Sequence, residues 1–246
     1  MNINNYCFKL NQIKKEEFIA YTHLGLGDHI ICNGLINYLS ENYKIIYLPV
    51  KSRDIKNIEF LYSNNDSVIP FQIEHDSEES DILNFAIMKQ LEILKIGFEK
   101  RKPPFNLFFY KQLKVPYSVS IDLFKCPNDN EKEKELFKYL MRHYKISDKY
   151  QLVHNQSSYG KVDLKVNTNL PSIYVDKETD IFKNIFFYKK IIKNAEEIHC
   201  LDSSFLHLVE RIDTNSKLFF HKLKTVDQES AQVHLIKDWN EINYIT

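Results

Sequence analysis

Apolar residues alternate along the chain between short β-prone runs and longer segments with helical spacing. The first β-prone run is Phe18–His23, apolar residues then recur at helical spacing from Ile30 to Leu39, and Lys44–Val50 forms a second run. This order predicts a β-loop-α-β unit. The same alternation predicts further elements, which are helices over Ile55–Tyr62, Asp81–Leu91, Glu131–Tyr144, Ile185–Ala195 and Phe205–Ile212, and strands over Val68–Ile73, Ile93–Phe98, Tyr150–His154, Ser172–Val175, Glu197–Leu201 and Lys217–Phe220.

Strands that alternate with helices in this way indicate parallel sheets covered by helices, and therefore an α/β fold. Four prolines interrupt the aromatic stretches between Arg101 and Asn130, so we expect this segment to be irregular and to lie near the substrate and between domains. A new strand pattern begins at Tyr150. We expect a first domain over residues 1–125, a linker and helix over 126–148, and a second domain over 149–246.

Composition narrows the class of protein. Of the 246 residues 43% are hydrophobic, which favours a globular chain, and 33 basic residues balance 33 acidic ones, which disfavours a nucleic-acid partner. No apolar run approaches the roughly 20 residues that a membrane span needs. The four cysteines, Cys7, Cys32, Cys126 and Cys200, are scattered without close pairs. We therefore expect a cytoplasmic protein with buried, inert thiols and no membrane span.

A glycine-rich turn follows the first predicted strand, with Gly25, Gly27 and Asp28 at the start of a helix. Glycines and an aspartate in this place are typical of a tight turn with a helix cap, and equally of a turn that binds an anionic ligand. A dinucleotide-binding turn has a third glycine where this chain has Ile30, and an acidic residue after the second strand where it has Leu48–Lys51. This pattern disfavours NAD binding.

A second polar turn follows the predicted strand that ends at Leu201. Asp202, Ser203 and Ser204 precede an apolar helix that contains His207. These side chains are typical helix caps, with His207 and Leu208 then facing the core one turn later, and capping would be a sufficient explanation. The alternative is a phosphate site, in which the serines and backbone N–H groups hold the anion and His207 adds a hydrogen bond or charge.

Together the two turns resemble motifs of the heptosyltransferase-like GT-B glycosyltransferases, glycosyltransferase family 9. The first family motif reads Gly-x-Gly-Asp, and here Gly25-Leu26-Gly27-Asp28 stands in that order. The second reads Asp-Thr-Gly-x-x-His-Leu, and here the matching segment is Asp202-Ser203-Ser204-Phe205-Leu206-His207-Leu208, with Ser204 in place of glycine.

The resemblance implies an α/β fold of two Rossmann-like lobes, GT-B-like, with the C-terminal lobe reduced. It implies that residues 1–125 bind the acceptor, with Asp28 as the catalytic base, and that residues 149–246 bind a nucleotide-sugar donor. It also implies a phosphate-facing loop after the first strand of the second domain, although an ordinary polar loop is the alternative. The substrate-binding residues expected on this basis are Gly25, Gly27, His29, Asn155, Gln156, Ser157, Asp202, Ser203, Ser204 and His207.

The reaction implied is an inverting transfer of a sugar from a nucleotide-diphosphate sugar to a glycan acceptor in surface-glycan synthesis. We expect no cofactor besides the donor substrate and no metal, because the nine histidines lack zinc-site spacing and acidic residues such as Asp180 are interpreted as solvated surface. Lys161 and Lys165 are candidates to neutralise a diphosphate. Two alternatives remain: a non-catalytic nucleotide-sugar or glycan-binding protein, and another α/β enzyme acting on a nucleotide or sugar phosphate.

Overall fold

The structure is a computed structural model that describes residues 6–99, 104–157, 160–166, 168–223 and 233–244. The chain divides into two compact units, residues 1–127 and 128–246. Each unit contains one parallel five-stranded sheet.

The sheet of the first unit has the strand order β1-β5-β2-β3-β4, and every neighbouring pair is parallel. β2 lies at its centre, and Phe18, Ile19 and Ala20 of this strand are almost fully buried. Near-continuous apolar runs of this kind are typical of strands covered on both faces. The strands are β1 Tyr6–Cys7, β2 Glu17–Tyr21, β3 Ile45–Lys51, β4 Val68–Ile73 and β5 Glu92–Lys95.

Five helices accompany this sheet in the described part of the unit: α1 Leu26–Leu39, α2 Ile55–Leu61, α3 Glu78–Lys89, α4 Phe105–Leu113 and α5 Val119–Asp122. α1 packs closely on α5, since a Cβ atom added at Gly34 would lie 2.2 Å from the carbonyl oxygen of Val119. The prediction of an irregular segment between residues 101 and 130 was wrong in part. Pro104 directly precedes α4 and Pro116 follows its end, so these prolines flank a helix instead of preventing one.

The sheet of the second unit has the order β12-β11-β10-β6-β9, again parallel throughout. A short antiparallel hairpin of β7 and β8 follows β6. The strands are β6 Gln151–His154, β7 Gln156–Ser157, β8 Gly160–Lys161, β9 Ser172–Tyr174, β10 Glu197–Cys200, β11 Lys217–Lys222 and β12 Trp239–Asn243.

The helices of the second unit are α6 Asn130–His143, α7 Lys189–Asn194 and α8 Ser204–Val209 in its described part. α6 begins where the Asp129 carboxylate accepts the N–H of Lys132, an N-terminal cap. The helix predicted over residues 185–195 is instead a 3₁₀ turn, Ile185–Tyr188, followed by α7. Only six residues each form α7 and α8.

Two expectations about side chains need correction. Asp180 is buried, not solvated, and burial raises the pKa of its carboxyl group while the N–H of Phe182 donates to it. No disulfide joins the four cysteines, all of which lie in the described ranges, but Cys126 is only partly buried whereas the other three are buried. Across the described residues, no helix is both long and apolar enough to cross a membrane.

Candidate functional site

The glycine-rich turn lies at the point where the first sheet reverses its strand order. From β2 the chain moves through β3 to β4 on one side, and then returns to place β5 on the other side of β2. The loops after β2 and β5 therefore separate at the carboxyl edge of the sheet. In open α/β sheets, ligands bind in the crevice at this switch point.

The turn itself is closed by Asp28. Gly25 is the N-cap of α1, and its N–H donates to Oδ2 of Asp28 over 3.1 Å. A Cβ atom at Gly25 would lie 2.6 Å from the same oxygen, so glycine leaves room for the carboxylate. Asp28 is thus the third residue of the helix and not its N-cap. Its bond to the N–H of Gly25 is one of the two hydrogen bonds of a capping box. Leu24, just before the turn, has a φ of 64°, a strained conformation of the kind that clusters at functional sites.

His23 joins this turn to the segment after β5, a residue that sequence patterns did not indicate. Its Nε2 lies 2.8 Å from the carbonyl oxygen of Gly97, and its Nδ1 lies 3.9 Å from Oδ1 of Asp28. Phe98 and Phe109 pack on the imidazole, with ring centroids 5.0 Å and 4.9 Å away. The side chains of His23 and Asp28 retain 11% and 18% exposure, so both reach the surface of the crevice.

Gly97 is fixed by the close approach of Phe109 and His23 and by a hydrogen bond to Gln112. Its φ of +86° favours glycine, and a Cβ atom would lie 2.5 Å from the ring of Phe109 and 2.9 Å from Nε2 of His23. Its N–H donates over 2.6 Å to the side chain of Gln112, whose amide group in turn donates to the carbonyl of Lys95. The acceptor of the His23 hydrogen bond is therefore fixed by α4 and β5.

Gly27 and His29 belong to the same helix but differ in their surroundings. Gly27 is partly exposed in the first turn of α1 beside Asp28. His29, expected at the ligand, is instead buried, with 2% exposure, and burial lowers its pKa to about 4. It is therefore a neutral side chain inside the unit.

The polar turn of the second unit lies at the equivalent point of its own sheet. From β6 the chain first adds β9 on one side, and then crosses to place β10 on the other side of β6. The loops that follow β6 and β10 meet at this switch point, because Oγ of Ser203 lies 3.1 Å from Nδ1 of His154. His154 is the last residue of β6 and stacks on Phe205 of α8.

Ser203 is the N-cap of α8, where its hydroxyl oxygen accepts the N–H of Leu206 over 3.3 Å. Asp202, Ser203 and Ser204 are all partly exposed. His207 is buried with 3% exposure, and its Nε2 lies 3.7 Å from Oδ1 of Asp202.

The surroundings of Asp202 and His207 determine the charge that each side chain carries. Burial raises the pKa of Asp202 to about 6, and burial together with the charge of Arg211 lowers the pKa of His207 to about 3. His207 is therefore neutral and points inward, so that the positive charge expected from it is absent at neutral pH.

The loop after β6 is organised by Asn155. Asn155 is buried, and its side-chain amide donates to the backbone carbonyl of Val162 over 2.9 Å. The backbone carbonyl of Asn155 in turn accepts the N–H of Val162, also over 2.9 Å. Gln156 and Ser157 form strand β7 of the hairpin. Asn155 thus supports the hairpin that carries the other two residues.

Of the two lysines proposed to neutralise a diphosphate, Lys161 has its ammonium group 3.7 Å from the Asp176 carboxylate. The ammonium group of Lys165 lies 5.7 Å from the ring centroid of Tyr244, and the backbone N–H of Lys165 donates to the hydroxyl of that tyrosine. Lys161 is the last residue of β8, and Lys165 lies on the segment that follows it.

Two parallel sheets, each with polar side chains at its switch point, define a protein of two Rossmann-like lobes. No protein-family model matches the chain, and no curated protein matches its sequence. Among solved structures, the chain is similar to a family 9 glycosyl transferase from Veillonella parvula DSM 2008, with a TM-score of 0.57 and 8% identity over 94% of this chain and 88% of that one. It is also similar to ADP-heptose LPS heptosyltransferase II of E. coli, with a TM-score of 0.50 and 12% identity over 93% of this chain and 91% of that one.

The resemblance indicated by the two motifs is therefore confirmed at the level of the fold. The predicted α/β class with two Rossmann-like lobes, as in the GT-B-like proteins, is confirmed as well. At 8% and 12% identity these likenesses concern the fold, and the activity is a separate question.

Proposed function

We propose that this chain is an inverting glycosyltransferase, which moves a sugar from a nucleotide-diphosphate sugar to a hydroxyl group of a glycan acceptor. The observation that carries the proposal is the position of the two motifs. Asp28 and Ser203 were singled out from the sequence alone, and each lies at the switch point of its own sheet. The fold shared with family 9 transferases supports the same activity.

In this proposal the first unit binds the acceptor. The Asp28 carboxylate is 18% exposed, so it is accessible to a hydroxyl group, while its bond to the N–H of Gly25 fixes its orientation. Asp28 accepts the proton of the acceptor hydroxyl as that oxygen attacks the anomeric carbon. The bond from this carbon to the diphosphate oxygen breaks on the opposite side, which inverts the configuration.

The second unit binds the donor. Asp202, Ser203 and Ser204 follow the end of β10, and Gln156 and Ser157 follow the adjacent strand β6. Hydroxyl and backbone N–H groups suit the oxygens of a diphosphate, and they would stabilise its charge as it leaves. His207 has a positioning role here, because it is neutral, buried and beside Asp202. The leaving group needs no bound metal in this scheme.

The setting proposed for the reaction is the cytoplasmic synthesis of a surface glycan. One of the similar structures is a lipopolysaccharide heptosyltransferase, which favours such an acceptor for this chain. The nucleotide-sugar donor and the saccharide acceptor are then the two partners, and no nucleic acid is involved.

The first experiment measures release of nucleotide diphosphate from a panel of nucleotide sugars in the presence of saccharide acceptors. Asp28→Asn retains an amide oxygen that accepts the N–H of Gly25, so it removes the base and keeps the helix cap. We expect this variant to lose about 100-fold or more in rate. Asp76→Asn is the matched control, since Asp76 is a fully exposed partner of His75 in the same unit.

The configuration of the product at the anomeric carbon, read by NMR, tests inversion directly. Retention of configuration would contradict the proposed mechanism. Binding of a nucleotide sugar without any transfer would instead favour the non-catalytic binding protein, and failure of every nucleotide diphosphate and nucleotide sugar to bind would overturn the donor site. Conversion of the nucleotide sugar without an acceptor would favour the second alternative, an α/β enzyme that acts on a nucleotide or sugar phosphate.

A further inference from the structure

The imidazole of His23 is held in one orientation. Nε2 lies 2.8 Å from the carbonyl oxygen of Gly97, and Phe98 and Phe109 pack on the ring at centroid distances of 5.0 Å and 4.9 Å. Because a carbonyl oxygen accepts only, Nε2 carries a proton and donates it to Gly97. In the neutral ring, Nδ1 is then the atom with a lone pair.

The Asp28 carboxylate lies within ion-pair range of that nitrogen. Nδ1 is 3.9 Å from Oδ1 of Asp28, while Oδ2 of the same carboxylate accepts the N–H of Gly25. The two carboxylate oxygens thus have separate neighbours: one closes the turn and the other faces the histidine. At 3.9 Å the pair is within ion-pair range and longer than a hydrogen bond, and such pairs tighten when substrate binds.

We infer that His23 is a positioning residue for the transfer reaction, the partner that takes over the proton Asp28 removes from the acceptor. This inference rests on the proposed function of Asp28. The acceptor O–H bond breaks as its oxygen bonds to the anomeric carbon, and the bonding pair to that carbon leaves with the nucleotide diphosphate. The proton passes to the Asp28 carboxylate and is then shared with Nδ1 of His23, which gives an imidazolium beside a carboxylate.

The chemical advantage follows from ordinary acid strengths. An aspartate in water has a pKa of about 3.9 and an imidazole of about 6.5, so an imidazole holds a proton better near neutral pH. A base whose acid strength matches the working pH is more efficient. When Asp28 passes its proton to His23, the carboxylate still contacts the acceptor hydroxyl directly. The proton then resides on the imidazole, the group whose ordinary pKa is closer to neutral pH.

The activity test uses His23→Gln, whose amide nitrogen can still donate to the Gly97 carbonyl but whose oxygen cannot hold a proton. We expect kcat to fall at least ~10-fold at neutral pH with KM for the donor unchanged. Adding this change to Asp28→Asn should cause little further loss, because the two residues act as a unit. Full activity of His23→Gln, or additive losses in the double variant, would overturn the inference. His75→Gln, at an exposed His–Asp pair, is the matched control.

A second test needs no activity and so separates this inference from the proposed function. NMR of ring-¹⁵N-labelled histidine should show His23 protonated at Nε2 in the neutral form. In the described part of the chain, the groups that face the ring include the Asp28 carboxylate of α1, the Gly97 carbonyl and Phe98 after β5, and Phe109 of α4, with the Lys95 ammonium 5.3 Å from the Phe98 ring centroid.

Since a carboxylate stabilises an imidazolium, the titration midpoint of His23 should fall in Asp28→Asn and stay unchanged in Asp76→Asn. A neutral ring protonated at Nδ1, or a midpoint that Asp28→Asn does not move, would show that the two residues are not coupled. If the coupling is present and no transfer is detected with any donor, the proposed function fails while the geometry stands.

Discussion

The hydroxyl of Ser203 lies 3.1 Å from Nδ1 of His154, and this contact joins the ends of two adjacent strands, β10 and β6. The same hydroxyl oxygen accepts the N–H of Leu206 and so caps α8. Ser203 therefore connects the start of α8 to the end of the neighbouring strand, β6. Ser203 is both a structural cap and a part of the proposed donor site. The capping role predicts an effect on stability, and the donor role predicts an effect on binding.

Ser203→Ala should lower the free energy of unfolding by about 1 kcal/mol, because it removes a helix cap. Chemical denaturation of the purified protein measures this loss. Ser204→Ala is the matched control, since Ser204 is the first helical residue and alanine is favourable there. Equal stabilities of the two variants would contradict the capping role.

Gly97→Ala should destabilise the first unit by more than the cost of its backbone conformation. A residue with a Cβ atom pays about 1–2 kcal/mol in the left-handed region. At Gly97 that atom would also lie within 3 Å of Phe109 and His23. Gly160 has a φ of +114° with no atom within 4 Å of an added Cβ, so Gly160→Ala isolates the conformational cost. A Gly97→Ala protein as stable as Gly160→Ala, measured by denaturation, would show that the contacts relax freely.

Local pattern was sufficient for much of the fold. The strand predicted over Val68–Ile73 is β4 with the same bounds, because a β-prone run lies between polar turns. α4 was missed because its flanking prolines were interpreted as breakers, whereas a proline at a helix start is well tolerated. β12, Trp239–Asn243, was missed because three of its five residues are polar and its position depends on pairing with β11.

The residues of the candidate site also divide into those that the sequence indicated and those that it did not. Asp28 and Ser203 belong to short motifs, and the sequence therefore indicated both. His23 was not indicated, because its partner Gly97 lies 74 positions away and only the strand order brings them together. For His207 the sequence left the core and a ligand site as alternatives, since a motif gives spacing along the chain and not the direction of a side chain.

Glu133 and Lys189 form a buried ion pair in the second unit, with Oε1 and Nζ 3.0 Å apart and side-chain exposures of 11% and 5%, respectively. Removing the carboxylate in Glu133→Leu leaves an ammonium group buried, so we expect a loss of about 3–5 kcal/mol. Lys189 also donates to Asn128 over 2.7 Å, which links α7 to the chain before α6.

The matched double variant, Glu133→Leu with Lys189→Met, should recover much of that loss, because no charge is then left buried. Glu196→Ala is the control, because its partner Lys149 is 63% exposed and such surface pairs contribute about 1 kcal/mol or less. Urea denaturation of all three proteins measures the series. A Glu133→Leu loss no greater than that of Glu196→Ala would show that the pair is solvated.

Stability should fall steeply as the pH decreases from about 6.5 towards 4. Burial lowers the pKa of several histidines from 6.5 to about 4 or below, so in this window the unfolded chain binds protons that the folded protein does not. The raised pKa values of Asp202 and Asp180 act in the opposite direction, but these are two groups against five histidines. Urea denaturation at several pH values measures the slope, and His154→Asn should reduce it whereas His75→Asn, at an exposed histidine, should not. A stability that does not change with pH in this range would show that these imidazoles bind protons in the folded protein as they do in the unfolded chain. The histidines concerned are His29, His154, His199, His207 and His221.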